Sequence, residues 1–555
     1  MTALSLHITL AQINPIVGNI EYNLNKIRKI RDDAPDNTHL VLFPELSICG
    51  YPPEDLVLKP FFLEQVKDAV DQLVHESKNK YIALSCPWMQ GSKIVSALHL
   101  IGEGQIAGTV YKHNLPNYGV FDEARIFKSG PLAAPLELNG HKLGFIVCED
   151  TWTPEVAAHL KDQGAELLLS INASPYEITK HEQRLEVARA RVKETGLPLI
   201  YVNQCGGQDE IVFDGASFAL NEHGDMILQA EEFVEDIHHT MWTRGGQGHW
   251  FCSTDTIHPP HEQTEAIYQA LVISLRDYVS KNGFPGVLLG MSGGVDSALS
   301  AAIAVDALGA NDVHGVMMPS IYTSRESHQD AETSCRLLGI RYDVIPIADP
   351  VSAFEKVLAT HLTDDTPDIT HQNIQARCRG ITLMALSNAT GKMVLSTGNK
   401  SEVAVGYATL YGDMCGGFNV LKDIYKTQVY ELCRWRNQHK PDHGFGPHDL
   451  VIPDNVLTKA PTAELKAHQR DQDSLPPYDI LDSILKGLIE HDWDVKTIAA
   501  HGGHDPALVQ QIWHMLDRAE YKRRQAAPGP KITRRSFGRE RRYPITNPFS
   551  RILKG

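Results

Sequence analysis

Near residue 250 the chain loses its hydrophobic rhythm. The run Cys252-Ser-Thr-Asp-Thr-Ile-His-Pro-Pro-His-Glu is polar, contains two adjacent prolines and shows no period, the signature of a linker. A break near the middle of 555 residues excludes one continuous core. It predicts two units, 1–250 and 263–555, joined across 251–262. Hydrophobic residues at 42% and charged residues at 22% are globular proportions, so neither half reads as disordered or fibrous. The net charge of −16 excludes a general nucleic-acid binder, which needs a basic domain. No apolar run approaches the ~20 residues that span a bilayer. The start, Met-Thr-Ala-Leu-Ser-Leu-His-Ile, lacks the basic region and cleavage site of a secretory signal, so a cytoplasmic protein without membrane partners is expected. The nine cysteines form no CxxC pair, which argues against a disulfide framework or a zinc ribbon. The 26 histidines include no HExxH run, and His501 and His504 read as loop residues.

In the first half, Leu4, Leu6, Ile8 and Leu10 alternate with polar residues as in a half-buried strand, and Leu24, Ile27 and Ile30 follow at helical spacing. Short apolar runs at 39–43, 81–86, 143–148, 166–171 and 199–202 are separated by polar helical stretches such as 181–195. That spacing predicts an α/β sandwich with layered sheets. Beyond the linker, a helix over 265–280 leads to a strand at 287–290, and strands at 313–318, 342–347 and 393–396 continue a βαβ rhythm. The rhythm predicts a doubly wound parallel sheet. From Arg518 onward Lys and Arg dominate, giving either a solvated arm or a segment that closes over phosphates or docks on an acidic neighbour.

Three residues that carry chemistry follow strands of the first half. Glu45 lies in Phe43-Pro44-Glu45-Leu46, Lys112 ends the run Gly108–Tyr111, and Cys148 ends an apolar strand before Glu149-Asp150-Thr151-Trp152. A thiol at a strand end, ahead of a helix opening at Pro154, sits where backbone N–H groups stabilise a thiolate and an oxyanion. A carboxylate can serve as its base and a lysine can stabilise a tetrahedral intermediate. Taken singly, each residue reads equally as a core thiol or a surface turn.

The second half carries Gly290-Met291-Ser292-Gly293-Gly294-Val295-Asp296-Ser297 between a strand and a helix starting near Ala298. Small residues let successive N–H groups face an anion at a helix N-terminus. The run lacks the Walker lysine, which argues against ordinary P-loop chemistry. Thr397-Gly398-Asn399-Lys400-Ser401-Glu402 follows another strand at the same sheet edge. Asp296 and Glu402 together offer hard oxygens for Mg2+ on phosphates.

Glu45, Lys112 and Cys148, with their flanking residues, resemble the carbon–nitrogen hydrolase (nitrilase) superfamily, and residues 290–297 resemble the loop of ATP pyrophosphatases. With Asn373-Ile-Gln-Ala-Arg, Lys422-Asp-Ile-Tyr-Lys and Lys459-Ala-Pro-Thr-Ala-Glu-Leu, the chain resembles the glutamine-dependent NAD+ synthetases from Glu45 to Lys522. Departures are small: Met291 stands where Leu is usual, and Ala460 and Thr462 where Pro and Ser are typical. The resemblance implies an N-terminal α-β-β-α sandwich and a C-terminal Rossmann-like ATP pyrophosphatase. It implies that Cys148 forms a thioester with glutamine, with Glu45 as base and Lys112 as electrostatic partner, and with Tyr118, Glu123, Ser174 and Lys180 around the substrate. ATP is expected on Gly290, Met291, Ser292, Gly293, Gly294, Val295, Asp296 and Ser297, with Thr397, Lys426 and Thr462. Deamido-NAD+ is expected against Asn373, Glu402, Tyr407, Leu410 and Lys522, and Mg2+ on Asp296 and Glu402. The expected reaction adenylates deamido-NAD+ and displaces AMP with ammonia that passes between the halves inside a homo-oligomer, a dimer or an octamer. The alternatives are another glutamine-dependent adenylating amidotransferase, which shares only the Ser292–Ser297 loop, or a scaffold with both sites dead.

Overall fold

The computed structural model describes residues 5–245, 248–253, 256–363 and 365–552. Leu4 of the expected first strand, and Thr254 and Asp255 of the expected linker, lie outside the described residues. The chain forms two compact units, Met1–His261 and Glu262–Gly555. Strand Trp250–Cys252 pairs with Asp236–Arg244, so ladder structure runs into the first residues of the expected linker.

The first unit is built on two sheets. One has seven strands in the order Trp250–Cys252, Asp236–Arg244, Ser5–Gln12, Leu40–Leu42, Tyr81–Gln90, Lys93–Gly102 and Gln105–Tyr111. The other has six, with His141–Val147, Leu167–Asn172 and Leu199–Asn203 parallel at its centre. One core joins inward side chains of both sheets, among them Leu6, Ile8, Leu42, Phe145, Leu169 and Trp242. A second packs helices Ile20–Asp33 and Pro60–Glu76 on the first sheet, and a third packs Pro154–Asp162 and Lys180–Thr195 on the other. The layers are therefore α-β-β-α, as the resemblance implied. The first strand differs from its half-buried expectation: Thr9 and Ala11 are as buried as Leu6 and Ile8, because helices cover the outer face.

The second unit holds a five-stranded parallel sheet in the order Arg341–Val344, Val313–Met317, Val287–Gly290, Met393–Ser396 and Phe418–Asn419. Chain order reverses between Val287–Gly290 and Met393–Ser396. In open α/β sheets that switch point opens a crevice at the strand C-termini. The helix after the first of these strands spans Val295–Leu308, three residues earlier at its start than Ala298, because Gly294 already serves as its N-cap. Helices Tyr478–Ile489, Val495–Gly502 and Pro506–Arg518 add a core of their own. His501 lies on the second of them, its ring 4.8 Å from that of Trp493, and is not a loop residue.

The buried cations of the basic tail dock on acidic neighbours, as one of the two expectations had it. Arg523 donates to Ala404 O at 2.6 Å, Arg541 pairs with Glu520 at 3.2 Å, and both are buried. Asp423 accepts the backbone N–H groups of Ile532 and Thr533. The cations are spent on internal carboxylates and carbonyls, which tie the tail to the helical layer.

Between helices of the second unit, Arg436 meets Asp306 through two parallel hydrogen bonds of 2.7 and 3.1 Å, with both residues fully buried, and Tyr268 donates to the same carboxylate at 2.6 Å. Truncating one partner of such a pair strands a charge in low dielectric. Arg436→Ala should therefore destabilise the second unit by about 3–5 kcal/mol, read as a lower urea midpoint. An unchanged midpoint would show that Asp306 finds other compensation.

Candidate functional site

In the first unit, strands Leu40–Leu42, Gln105–Tyr111 and His141–Val147 deliver Glu45, Lys112 and Cys148 to one end of the sandwich. Lys112 Nζ lies 2.7 Å from Glu45 Oε1 and 2.8 Å from Glu123 Oε2, and all three residues are buried. Tyr51 OH donates to Glu123 at 2.8 Å. Burial pushes the Glu45 carboxyl up to about 7; Lys112 opposes the shift and Glu123 adds to it. Burial alone would lower the Lys112 ammonium, but Glu123 and Glu45 hold it well above the ordinary range. Burial also pushes the Cys148 thiol up, Glu45 adding to the shift while Lys112 and the Ala173 N–H oppose it. Cys148 has φ of +46°, a left-handed conformation that costs a non-glycine residue about 1–3 kcal/mol. It opens a tight turn, Cys148–Thr151, between its strand and helix Pro154–Asp162.

Asp150, quoted in the sequence run without a role, accepts the backbone N–H groups of His113 at 3.2 Å and Asn114 at 2.6 Å. It thereby pins the residues after Lys112 to those after Cys148. No local signal marks it, because its partners lie more than 30 residues away. Tyr118 is half exposed, its hydroxyl donating to Glu149, and Lys180 stacks over the Trp152 ring at 4.1 Å. Ser174 is buried, its Oγ accepting from Arg184 at 3.0 Å.

In the second unit a cavity of about 290 Å³ opens at the switch point. Gly290, Met291, Ser292, Gly294, Val295, Asp296 and Ser297 line it, with Thr397, Glu402, Tyr407, Lys426 and Thr462. Gly293 does not face it: φ is +76°, and an added Cβ would come within 2.3 Å of Ser327 O, so glycine is required there by the turn. Asn373, Leu410 and Lys522 do not line the cavity either. Asn373 accepts from Thr409, Leu410 O accepts from Arg377, and Lys522 donates to Gly406 O and Ala408 O. The tail reaches the cavity through Ala526 and Ala527 rather than through its cations. Lys459, Arg379 and Asp413 also line it, although no role is expected for them from sequence.

The Lys426 ammonium bridges the two metal candidates, bonding Asp296 Oδ2 and standing 3.0 Å from Glu402 Oε1. Asn399 donates to Asp296 Oδ1 at 2.8 Å. Burial pushes Glu402 up to about 7, Lys426 opposing, Asp296 and Asp471 adding. Two carboxylates thus share one ammonium, and their hard oxygens leave charge for a further cation, a donor set that fits Mg2+.

A buried thiol beside a carboxylate–ammonium pair on one unit and a glycine-rich loop lining a switch-point cavity on the other are the arrangement of a hydrolase fused to a ligase. Residues 7–241 match the carbon–nitrogen hydrolase family and residues 267–526 the NAD synthase family. The chain is 46% identical to the glutamine-dependent NAD+ synthetase of Rhodobacter capsulatus, covering 97% of this chain and 98% of that one. It is also similar to the crystal structure of the Acinetobacter baumannii glutamine-dependent NAD+ synthetase in complex with ADP, with 42% identity, TM-score 0.78, and coverage of 98% and 99% of the two chains. A Cytophaga hutchinsonii structure, 21% identical with TM-score 0.80 and covering 98% of each chain, shares the fold. The chain belongs to the glutamine-dependent NAD+ synthetase family.

With Glu45 as the acceptor for the Cys148 proton, as the resemblance implies, the step is open only above the pKa of the raised carboxyl. Alkylation of Cys148 by iodoacetamide, followed by mass spectrometry, should therefore accelerate as pH rises through about 7. Glu45→Gln should remove that step. The same profile in the variant would exclude Glu45 as the base.

Proposed function

We propose that the protein amidates deamido-NAD+ to NAD+, taking the nitrogen from glutamine and consuming ATP. The observation that carries this reading is the presence, in one chain, of a buried thiol against a carboxylate–ammonium pair and a phosphate loop without a Walker lysine. Cys148 Sγ attacks the glutamine amide carbon and Glu45 takes the thiol proton. The Lys112 ammonium stabilises the oxyanion. Glu45 then returns the proton to the departing nitrogen, giving ammonia and a thioester that water hydrolyses to glutamate. Tyr118, Glu123, Ser174 and Lys180 orient the substrate.

At the second site residues 290–297 cradle the ATP phosphates, with the helix Val295–Leu308 aiming its N-terminus at them. Thr397, Lys426 and Thr462 hold the remainder. Asn373, Glu402, Tyr407, Leu410 and Lys522 hold deamido-NAD+. Asp296 and Glu402 would hold Mg2+, which neutralises phosphate charge when bound. The nicotinate carboxylate attacks the α-phosphorus and pyrophosphate leaves. Ammonia then attacks the adenylated carbonyl and AMP departs. Ammonia has to arrive unprotonated, because ammonium has no lone pair; a path enclosed by the homo-oligomeric protein serves that need.

Cys148→Ala separates the two chemistries. NAD+ formation from glutamine should fall by several orders of magnitude, as expected for loss of a nucleophile, while formation from ammonium chloride stays near the unmodified rate. Glutamine-driven synthesis at a normal rate would refute the nucleophile assignment, and loss with both donors would refute the division of labour.

A further inference from the structure

Behind Ser174 the first unit holds a buried polar cluster that the reaction above does not use. His181 lies in the first turn of helix Lys180–Thr195, Asp214 closes strand Ile211–Asp214, and Glu232 follows strand Met226–Gln229. One potential ligand atom from each lies within 4.8 Å of the other two. Asp214 is fully buried and Glu232 is 7% exposed. Asp214 Oδ2 accepts from Arg184 Nη1 at 2.7 Å. Its Oδ1 is buried with no hydrogen-bond partner among the described residues, as are both ring nitrogens of His181. Glu232 Oε2 accepts only the backbone N–H of His261 among the bonds resolved, at 2.9 Å. Leaving a buried carboxylate oxygen unpaired costs upward of about 1–3 kcal/mol.

We infer that His181, Asp214 and Glu232 bind a divalent transition-metal cation of the zinc class. An imidazole nitrogen with two carboxylate oxygens is a borderline donor set that suits Zn2+ and its neighbours. Ligand atoms within 4.8 Å of one another need only small side-chain adjustments to stand about 2.0–2.2 Å from a shared cation. Asp214 then serves two partners, the cation through Oδ1 and Arg184 through Oδ2. Arg184 in turn donates to Ser174 Oγ at 3.0 Å, Ser174 O at 2.9 Å and Pro175 O at 2.8 Å. The cation thus fixes, through Asp214 and Arg184, the turn that carries Ser174. The other histidine–carboxylate group of this unit, Asp236, His238 and His258, is more open, and His238 already holds Asp236 Oδ2 at 2.7 Å.

The test uses the full chain, stripped with a chelator and titrated with Co2+ in excess Mg2+, which occupies hard-oxygen sites. Metal content and the Co2+ d–d absorption are read together. Wild type should hold one tight equivalent that His181→Ala and Glu232→Gln lose and His238→Ala keeps. Zn2+ should displace the Co2+ and raise the Tm of wild type but not of His181→Ala. Should either variant fail to fold, the other decides. A wild type that takes up no tight Co2+, or variants that retain the equivalent, would show that protons or water satisfy the cluster and would overturn the inference.

Discussion

One ammonium organises the first site. Lys112 stands between Glu45 and Glu123 out of contact with water, and it opposes the burial that would otherwise push the Glu45 carboxyl higher still. At an effective dielectric of 20, a unit-charge pair at 4 Å is worth about 4 kcal/mol, enough to offset much of the desolvation but not all. The residue of that imbalance is Glu45 pushed up to about 7. A carboxylate poised near neutrality is a better base than one fixed near its ordinary value. The cost of burying the charges is thus what would give the thiol beside them a useful proton acceptor, in the role proposed for Glu45.

The second unit repeats this solution with other residues. Lys426 is buried between Asp296 and Glu402, and Glu402 is again raised by burial to about 7. Both ammonium–carboxylate groups sit beyond the ends of strands, where parallel chains stop and leave their side chains unshared with neighbours. In the second unit the reversal of strand order opens the cavity, and Gly293 permits the tight turn of the phosphate loop. In the first, the left-handed Cys148 and the bonds from Asp150 hold the reacting groups in register.

What the sequence disclosed was whatever is local. Strand periodicity located Leu40–Leu42, His141–Val147 and Val287–Gly290, and the residues just past them were legible as chemistry because a strand end is a short-range event. The layering and the parallel sheet followed from the same rhythm. Interactions between distant segments stayed hidden. Asp150 closes on His113 and Asn114, and Arg184 joins Ser174 to Asp214 30 residues on; no spacing rule connects them. The His181, Asp214 and Glu232 group is invisible for the same reason, since its members come from a helix, a hairpin and a loop. For the basic tail, composition reports charge but not partner, so docking on an acidic neighbour stood only as one alternative; Glu520 and Asp517 are the carboxylates that Arg541 meets. Strand Trp250–Cys252 was missed because a three-residue edge strand leaves no period to read.

The central claim is that the amide nitrogen freed at Cys148 becomes the amide nitrogen of NAD+. It is tested most directly by supplying glutamine labelled with 15N at the amide, deamido-NAD+ and ATP, together with excess unlabelled ammonium, and reading the isotope in the NAD+ formed by mass spectrometry. The account predicts product that is mostly labelled. Product whose label falls to the proportion of free ammonia species in solution would mean that the nitrogen equilibrates with bulk water, and unlabelled product would mean that glutamine is not the donor.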